Sequence, residues 1–529
     1  MSINLLGSQV REITVSASPD LSGNVVCNGS NDEVEWQIAV DYLNDRGGGT
    51  VHIKAGDYTV EDSIELYDGI HIKGSGTEAV TVSYTDTTDT MFVTDTDRYA
   101  HSTIALTVNA NRGDTSITVA SAVSFSVDDW VKLSDDEAVL GLKKGEIIRI
   151  QGIAGNVITF YRQIIDDYTV ANNAKIRELT FIEDITIEGM TAIGPGIENT
   201  SYFSSNTLHR NLNIRNVWLQ DWGGGISTRD CLDVNIENCI FENIFLTGLG
   251  YSVVISNACD GIRIRNCVFR EYGRHYIATG GSTGTYLSDG WFRNVLVEGC
   301  SFESSQFSPD EEAINTHSPS YGPIVIRGCT FLSCGKAIET QNAKSIIIGN
   351  KFKQCDTGID VIGWNYYPNE RWTIISDNVF ESANIWVRDD TCYVKVDNNH
   401  LYDSYVYLNA GDYDCSITNN TFLGTNTPIY LDGASGNIVE NIVISNNIIN
   451  VTSIGIDLTD YVEDVSIIGN RFTNCAEGIE INANCSYIMI ALNDFRNCVD
   501  DIDDNSGGGT IYYGRNVDRN GNWDEGVEP

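Results

Sequence analysis

The sequence predicts an all-β fold, a right-handed single-stranded parallel β-helix, and three observations lead to this prediction. Short segments such as IENCIF, IRNCVF, VEGCSF and IGNRF recur along the chain and share one template. The apolar residues that close them are 21 to 33 residues apart, as expected for stacked coils with loops of variable length. Only 8 of the 529 residues are proline, so strand ladders are rarely interrupted.

The repeats occupy residues 179–510, which we assign to the β-helix proper. Each repeat opens with alternating or continuous apolar residues, such as those at 295–297 and 346–348, which suit short strands. No sustained helical periodicity occurs in this range. The closing apolar positions are Phe241, Phe269, Phe302, Phe331, Phe352, Phe380, Leu401, Phe422, Ile449, Phe472 and Phe495.

The first turns are predicted at residues 31–103, behind an N-terminal segment of residues 1–30. Asn31 or Asp32 can cap a short amphipathic helix, and the glycines at 47–49 end it. Strands follow, with turns at 55–57 and 74–76. The apolar residues that we expect the helix to bury are Val34, Ile38, Val40 and Leu43.

Residues 104–178 depart from the repeat spacing. The stretches GDTSITVASAVSFSVDDWVKL and GEIIRIQGIAGNVITFYRQ alternate apolar and polar residues between tight-turn signals. We therefore predict an inserted small β-subdomain. Its acidic residues are expected to form a solvated face: Asp128, Asp129, Asp135, Asp136 and Glu137.

Like residues recur two positions before the closing apolar residue. Cys239, Cys267, Cys300 and Cys329 hold this position in successive repeats, and asparagines hold it from Asn350 onward. Because stacked strands lie about 4.8 Å apart, each set forms a column of neighbours. An asparagine column can satisfy its own buried amides. We interpret the 14 cysteines as packing residues, since no zinc spacing occurs.

The C-terminal tail, residues 511–529, contains NVDRNGNWDEG, which loosely matches an EF-hand loop. Calcium prefers such oxygen ligands, but Val527 stands where the loop needs a bidentate glutamate. No cofactor is required by this interpretation, and Ca²⁺ is the one optional metal. Its predicted ligands are Asn516, Asp518, Asn520 and Asp524.

The stretch from Asn31 to Gly76, with GGGTV, AGDY and IHIKGSG after its helix, resembles the start of the pectate-lyase-like parallel β-helix superfamily. It resembles phage tailspike and polysaccharide-depolymerase-like proteins most closely. The resemblance implies a polysaccharide partner, a homotrimer and attachment to a virion. Lyases, hydrolases, epimerases and non-catalytic binders all share this superfamily, so activity depends on the site.

Three repeats, aligned by phase, place polar side chains in shared columns. The segments are RHYIATG at 274–280, EEAINTH at 311–317 and GKAIETQ at 335–341. Adjacent strands bring column members into contact range. These coils and the loop after the first predict a catalytic group, composed of Arg274, His275, Asp289, Glu312, His317 and Lys336.

A substrate-binding surface is predicted around this group. Residues 261–330 hold six arginines and seven acids, which is nearly neutral in a strongly acidic chain. The Gly/Ser-rich loop at 280–291 is typical of binding loops, and aromatic rings stack on sugar faces. The predicted binding residues are Tyr276, Tyr286, Trp291, Arg293, Glu311, Tyr321 and Glu339. Elsewhere, Glu339, Asp360, Asp457, Glu480 and Asp503 share one phase and predict a solvated acidic face.

Two reaction types fit these residues. β-Elimination of a uronic-acid polymer needs a cation, a base and an acid. Arg274 or Lys336 would neutralise the carboxylate, His317 or His275 would be the base, and a tyrosine of the binding set the acid. A uronate C5-epimerase would use the same groups, since AINTH resembles the DPH motif of alginate epimerases, with Asn315 in place of Asp.

Hydrolysis instead needs two carboxyl groups, one protonated, roughly 5–9 Å apart. Glu312 with Asp289, or Glu311 with Asp310, would supply them. The sequence leaves lyase and glycoside hydrolase open. A non-catalytic glycan- or receptor-binding fibre and the epimerase are the alternatives.

The charge balance narrows the choice of partners. With 33 basic and 73 acidic residues, net charge −40, the chain is a poor partner for nucleic acid. A polyanionic glycan would be repelled unless a basic patch or a cation offset the field. Neither a signal peptide nor an apolar span is evident, so we expect no membrane insertion and an extracellular or virion-associated location.

Overall fold

The computed structural model describes residues 11–94, 102–139, 142–247, 250–280, 290–304, 312–317, 319–341, 343–363 and 372–522. The chain forms two compact units, Met1–Leu296 with Ser318–Gly322, and Val297–His317 with Pro323–Pro529. Parallel strands dominate both units, and the predicted right-handed parallel β-helix is confirmed. The predicted domain boundaries stay predictions. Among the described residues, no helix has the length and apolarity to cross a bilayer.

Two parallel sheets form the β-helical part of the first unit. The strands of its larger sheet are Glu12–Ser16, Val25–Val26, Gly49–Ile53, Gly56–Val60, Ile70–Gly74, Val80–Tyr84, Ile182–Glu183, Thr186–Ile193, His209–Trp222, Leu232–Glu237, Ile240–Ile244, Arg263–Arg265, Val268–Tyr272 and the start of Val295–Glu298. The strands of its smaller sheet are Ile64–Glu65, Thr90–Val93, Tyr202–Thr207, Gly224–Arg229, Tyr251–Ser256 and His275–Thr279.

The second unit is built in the same way. The strands of its larger sheet are Ser301–Glu303, Ile324–Arg327, Thr330–Leu332, Ser345–Ile348, Lys351–Lys353, Thr373–Ser376, Val379–Glu381, Val394–Asp397, His400–Tyr402, Ser416–Thr418, Thr421–Gly424, Val439–Ser445, Ile448–Val451, Val462–Ile468, Arg471–Thr473, Ser486–Ala491 and Ile511–Tyr513. The strands of its smaller sheet are Glu312–Thr316, Lys336–Gln341, Thr357–Ile362, Asn384–Arg388, Val406–Asn409, Ile429–Asp432, Ile454–Asp460, Glu477–Ile481 and Asp500–Asp504.

One α-helix occurs in the described residues, Glu33–Asn44, and Asp32 anchors its start. The Asp32 carboxylate accepts the backbone N–H groups of Gly29 at 2.9 Å and Thr59 at 2.8 Å. The predicted apolar face is partly wrong, because Val34 is 53% exposed. At 3.6 residues per turn, Val34 lies opposite Trp36, which faces the core. The buried residues of the helix are Glu33, Trp36, Ala39, Val40 and Leu43.

Stacked rings and amides fill the interior of the second unit. The rings of Phe331, Phe352 and Phe380 stack with centroids 5.0 and 4.7 Å apart. Asn399 Nδ2 donates to Asn420 Oδ1 at 3.0 Å and to the Ile375 carbonyl at 2.9 Å. The same pattern satisfies each buried amide of this column. Its members are Asn350, Asn378, Asn399, Asn420, Asn447, Asn470, Asn493 and Asn516.

All 14 cysteines are buried, and none forms a disulfide with another described residue. Their thiols donate to backbone carbonyls within the coils, for example Cys267 Sγ to Ile236 at 3.6 Å. They therefore pack as small apolar side chains, which agrees with the interpretation of the sequence.

The segment between residues 104 and 179 forms a separate six-stranded antiparallel sheet. Its strands are Ile104–Ala105, Ser116–Thr118, Trp130–Val139, Leu142–Ala154, Val157–Phe160 and Lys175–Leu179, and a 3₁₀ turn covers Val170–Asn172. Lys132 Nζ donates to both oxygens of the buried Asp230 at 2.9 Å, which ties this sheet to the β-helical part of the first unit.

The predicted solvated face of this sheet needs one correction. Asp135 is fully buried, and burial raises the pKa of its carboxyl to about 6. The ammonium of Lys144 lies 3.9 Å from it and opposes that shift. Asp135 therefore belongs to an internal ion network of the sheet rather than to its solvated face.

Candidate active site

Three neighbouring strands of the second unit bring charged residues together. Strand Glu312–Thr316 pairs in parallel with Lys336–Gln341, so Glu312 lies beside Lys336 and Asn315 lies beside Glu339. The next strand, Thr357–Ile362, places Asp360 beside Glu339. The repeat phase of the sequence predicted this register. These side chains face away from the isoleucines that fill the core.

Lys336 is the centre of the cluster. Its Nζ lies 2.8 Å from Glu339 Oε2, 3.4 Å from Glu312 Oε1 and 3.5 Å from Asp360 Oδ2. Burial alone would lower the pKa of this ammonium, but the hydrogen bond to Glu339 and the surrounding carboxylates raise it. One fixed positive charge therefore serves three carboxyl groups.

A second cation completes the cluster. Arg388, at the end of strand Asn384–Arg388, binds Asp360 in a bidentate geometry. Its Nε lies 2.8 Å from Oδ1 and its Nη2 lies 2.7 Å from Oδ2. Such forked pairs fix a carboxylate in orientation as well as in charge.

The carboxyl groups of Glu312 and Glu339 lie beside the same ammonium, that of Lys336, but their pKa values are shifted in opposite directions. Burial and the charge of Glu339 raise the pKa of Glu312 to about 7. Burial also opposes ionisation of Glu339, but hydrogen bonds from Lys336 and Gln341 outweigh it and lower the pKa. The pair therefore holds one proton near neutral pH, and that proton resides on Glu312.

Asn315 orients both carboxyl groups. Its Nδ2 donates to Glu339 Oε1 at 3.0 Å, and its amide also hydrogen-bonds Glu312, which tempers the rise in that pKa. The Oδ1 of Asn315 is buried and has no hydrogen-bond partner among the described residues. A donor such as a sugar hydroxyl would satisfy this acceptor.

Aromatic side chains continue the column beyond Asp360. The register of the next strands places Trp386, Tyr407 and Tyr430 in sequence after Asp360. The ring centroids of Trp386 and Tyr407 are 5.7 Å apart, and those of Tyr407 and Tyr430 are 6.3 Å apart. All three rings are partly exposed. They form an aromatic strip that begins beside the carboxyl cluster.

Arg274 and His275 lie in the first unit, where Tyr251 contacts both. Arg274 Nη1 donates to the Tyr251 hydroxyl at 2.7 Å, and the rings of Tyr251 and His275 stack at 5.4 Å. His275 is almost fully buried. Their predicted contact with Glu312 and Lys336, which belong to the other unit, stays a prediction.

Two of the predicted sugar-binding aromatics, Tyr276 and Trp291, are packing residues instead. Tyr276 is fully buried with its ring centroid 5.6 Å from Phe269, in the core. Trp291 is also buried, and its ring packs against Tyr321 at 5.0 Å. The Tyr321 hydroxyl hydrogen-bonds Tyr168 of the inserted sheet at 3.3 Å. Burial therefore corrects the prediction for Tyr276 and Trp291, whereas Tyr321 is partly exposed and its contact with a sugar stays a prediction.

The remaining predicted residues have different outcomes. Arg293 pairs with Asp260, its Nε 2.6 Å from Oδ2, and lines a cleft of the first unit. His317 directly follows strand Glu312–Thr316 and is partly exposed. Asp289, Tyr286 and Glu311 lie outside the described residues, so their roles stay predictions, as does the pairing of Glu311 with Asp310.

The predicted calcium loop loses one ligand. The Oδ1 of Asn516 accepts the backbone N–H of Asn493 at 2.9 Å, so its amide ends the asparagine column rather than facing a cation. Asp518 Oδ1 accepts the N–H groups of Asn520 at 2.9 Å and Asn522 at 2.8 Å, as in a turn. Asp524 lies outside the described residues. Calcium binding at Asp518 and Asn520 stays a prediction.

The predicted acidic face is also corrected. Glu339 and Asp360 are buried, with 3% and 1% of their surface exposed, whereas Asp503 is exposed. The sequence prediction missed Arg388 and the aromatic strip. Both could have been found from the sequence, because Trp386 shares the repeat phase of Glu339 and Arg388 lies two positions after Trp386.

Two family models match parts of the chain. Residues 28–239 match the model described as rhamnogalacturonase A/epimerase, pectate lyase-like. Residues 325–472 and 366–523 match the model of the periplasmic copper-binding protein NosD. The first match ends before the carboxyl cluster begins. No curated protein is significantly similar to this chain in sequence.

Phage tailspikes are similar to this chain in fold. The tailspike gp61 of Pseudomonas phage phi297 is 15% identical with a TM-score of 0.55, over 88% of this chain and 70% of that one. The Gp54 tailspike of Acinetobacter baumannii bacteriophage AP22, in complex with a capsular saccharide, is 15% identical with a TM-score of 0.50, over 91% and 76%.

A tailspike variant of E. coli bacteriophage HK620 in complex with a pentasaccharide is 14% identical with a TM-score of 0.51, over 94% of this chain and 80% of that one. At this level of identity the likeness concerns the fold alone. The chain is a parallel β-helix whose residues 28–239 match the pectate-lyase-like family model, and its fold is similar to that of phage tailspikes.

Proposed function

We propose that the chain is a polysaccharide-degrading enzyme, and specifically a glycoside hydrolase whose acid is Glu312. One observation carries the proposal: the buried carboxyl groups of Glu312 and Glu339 both contact Lys336, beside the unsatisfied Oδ1 of Asn315, and their pKa values are shifted in opposite directions. Pairs of carboxyl groups with separated pKa values supply the acid and the ionised partner in glycosidic chemistry.

In this mechanism Glu312 donates its proton to the glycosidic oxygen as the bond to the anomeric carbon breaks, and a water molecule adds to that carbon and loses its proton to the second catalytic carboxylate. The negative charge left on Glu312 is stabilised by Lys336, which already lies 3.4 Å from its Oε1. Glu339 stays ionised, and its negative charge favours the protonated form of Glu312 before the transfer. Asn315 and Gln341 hold the Glu339 carboxylate in place by hydrogen bonds.

The role of Glu339 follows from its distance to Glu312. The acid and the second catalytic carboxylate of a glycosidase flank the bond, about 5–5.5 Å apart in retaining and 6.5–9.5 Å apart in inverting enzymes. Glu312 Oε1 and Glu339 Oε2 lie 3.4 and 2.8 Å from the same ammonium of Lys336, which occupies the space that a glycosidic bond flanked by these two carboxyl groups would need. We therefore assign Glu339 to tuning and positioning Glu312. For the second carboxylate we retain the sequence prediction of Asp289.

Hydrolysis is favoured over elimination by the state of the cations. A lyase needs a cation that is available to neutralise the substrate carboxylate. Within the carboxyl cluster, Lys336 is surrounded by three carboxyl groups, and Arg388 is committed to Asp360. Arg274, the other cation named for elimination, lies in the first unit, and its contact with this cluster stays a prediction. The epimerase alternative needs the same free cation, and it also needs a carboxylate where Asn315 stands.

The partner that we propose is an extracellular or capsular polysaccharide. The aromatic strip of Trp386, Tyr407 and Tyr430 offers partly exposed faces for successive sugar rings beside Glu312. The AP22 and HK620 tailspikes were solved with saccharides bound. By the same likeness we propose a homotrimer attached to a virion or acting outside the cell.

The test compares Glu312→Gln with Glu440→Gln on a panel of bacterial capsular polysaccharides. Glu440 lies on the larger sheet of the second unit, and Glu440→Gln makes the same chemical change at a position away from Lys336. We expect Glu312→Gln to lower the release of reducing ends by about 10² to 10⁴-fold, and Glu440→Gln to leave it unchanged. Unsaturated uronate ends would contradict hydrolysis, and full activity in Glu312→Gln would contradict the site.

The aromatic strip also favours a second candidate, a non-catalytic glycan-binding fibre. This candidate predicts polysaccharide binding without the release of any new ends. Replacing Trp386 and Tyr430 by Ala would then weaken binding of the polysaccharide. Glu312→Gln would make no difference to the glycan, because neither this variant nor the unaltered protein would release new ends. Release of ends by the unaltered protein would exclude this candidate.

A further inference from the structure

The first unit contains a cleft of about 480 Å³ between its inserted sheet and the turns of its β-helix. Acids outnumber bases 73 to 33 in the whole chain, but four arginines and only two acids line this cleft. The arginines are Arg149, Arg162, Arg263 and Arg293. A local excess of cations in a strongly anionic protein marks a site where an anion is accepted.

Arg149 is held in a fixed orientation at one side of the cleft. Its guanidinium lies 5.9 Å from the ring centroid of Trp130 and 5.4 Å from that of Tyr161. Asp128 holds it from outside the cleft, with Nη2 3.0 Å from Oδ1. Tyr161 is 54% exposed. The cleft thus combines a positioned guanidinium with an accessible aromatic face.

Arg263 supplies donors from the β-helical side. Its nearest acid is Asp233, at 3.7 Å, which is too long for a hydrogen bond, and it makes no hydrogen bond to the described residues. The other acid of the cleft, Asp260, is already paired. Arg293 Nε lies 2.6 Å from its Oδ2, and Asn294 Nδ2 donates to its Oδ1 at 2.7 Å. Arg162 and Arg293 are therefore occupied by Glu146 and Asp260. Arg149 and Arg263, in contrast, keep N–H groups that can face an anion in the cleft.

We propose that this cleft binds an acidic sugar unit of a glycan through its carboxylate. Arg149 and Arg263 pair with the carboxylate, and the faces of Trp130 and Tyr161 contact the sugar ring. A guanidinium fits a carboxylate better than an ammonium does because its N–H groups are forked. The site lies in the first unit and needs no residue of the carboxyl cluster, so it goes beyond the proposed hydrolysis. The cleft is a local basic patch, so an anionic glycan can bind there despite the negative net charge of the chain.

The test is calorimetric titration with tetragalacturonate, its fully methyl-esterified form and inorganic phosphate. We expect the protein to bind tetragalacturonate and neither other probe, with affinity that falls as salt is added. The double variant Arg149→Gln/Arg263→Gln should weaken binding at least about tenfold. Arg46→Gln is the matched control, since Arg46 also lies over a tyrosine, 3.5 Å from the Tyr42 ring centroid, but outside the cleft.

Several results would overturn this assignment. They are absence of tetragalacturonate binding, equal affinity for the ester or for phosphate, and unchanged affinity in the double variant. If the double variant unfolds, titration of the single variant Arg263→Gln with tetragalacturonate tests the assignment. This substitution removes no hydrogen bond to the described residues. Binding in this cleft can be distinguished from the proposed hydrolysis, because Glu312→Gln should bind tetragalacturonate with the same affinity as the unaltered protein.

Discussion

At the scale of single residues, the buried carboxyl of Glu312 couples folding to pH. Its pKa rises from 4.5 to about 7 on folding, so the folded state binds the proton more tightly than the unfolded state. Stability therefore falls as pH rises from about 4.5 to 7, and the penalty is complete above that range. Replacing the Glu312 carboxyl by a neutral amide removes this loss of stability.

We therefore expect Glu312→Gln to gain stability relative to the unaltered protein as pH rises from 5 to 8. The gain should be of order 1 to 3 kcal/mol, and urea unfolding at each pH measures it. Glu440→Gln should give no such trend. A constant difference between the Glu312 variant and the unaltered protein across this range would contradict a raised pKa.

The ammonium of Lys336 gives a second prediction. Without it, Glu339 and Asp360 lose a buried counter-charge, and breaking such a pair costs about 3 kcal/mol or more. The loss in Lys336→Met should be large at pH 8 and smaller at pH 5, because protonated carboxyl groups need no counter-charge. Urea unfolding checks this, with the exposed Lys395→Met as control. Equal losses at the two pH values would contradict the charge argument.

The register of the repeat predicted part of the site, and local packing explains what it could not predict. Glu312 and Lys336 are neighbours as their phase indicated. Tyr276 was misassigned because strict alternation fails in its strand, where both Tyr276 and Ile277 are buried. Phase assigns a residue to a face of the sheet, but it does not specify what covers that face. The burial of Asp360 therefore could not be read from the sequence.

At the scale of elements, the asparagine column holds the coils of the second unit in register. Asn420 Oδ1 accepts both the backbone N–H and the side-chain amide of Asn399, and its Nδ2 donates to the Val396 carbonyl. Alanine at this position removes the acceptor of the buried Asn399 backbone N–H and the side-chain donor to the Val396 carbonyl, while the Asn399 amide keeps its bond to Ile375. Each unsatisfied group costs about 1–3 kcal/mol.

We therefore expect Asn420→Ala to lower the free energy of unfolding by roughly 3 kcal/mol or more. The exposed Asn426→Ala, which loses one long hydrogen bond to Asp403, should change it by less than about 0.5 kcal/mol. Chemical unfolding of both variants measures the difference. Similar small losses in the two variants would show that the column contributes little.

The fold itself was predictable at this scale, because the closing phenylalanines fix the period and their rings stack as the period requires. The helix was placed correctly but its buried face was not. The sequence pattern offered two apolar stripes on that helix, and the choice depended on how Trp36 packs against Tyr58, 5.6 Å away. Tertiary packing of this kind overrides a short apolar pattern.

At the scale of the whole molecule, a net charge of −40 opposes compactness. Self-repulsion of like charges destabilises a compact chain, and salt screens it over a Debye length of about 8–10 Å. We therefore expect the melting temperature to rise as sodium chloride is added up to about 0.5 M. Differential scanning calorimetry measures it. A melting temperature that falls with salt would indicate that surface ion pairs outweigh the repulsion.

The site that we propose depends on one proton shared unequally by two adjacent glutamates, and infrared titration of ¹³C-carboxyl-labelled glutamate observes that proton directly. We predict one glutamate carboxyl that stays protonated at pH 6 and titrates near 7. This signal should vanish in Glu312→Gln. In Glu339→Gln it should move to lower pH, because the neighbouring negative charge is gone. Titration of every glutamate below about pH 5 would contradict the account.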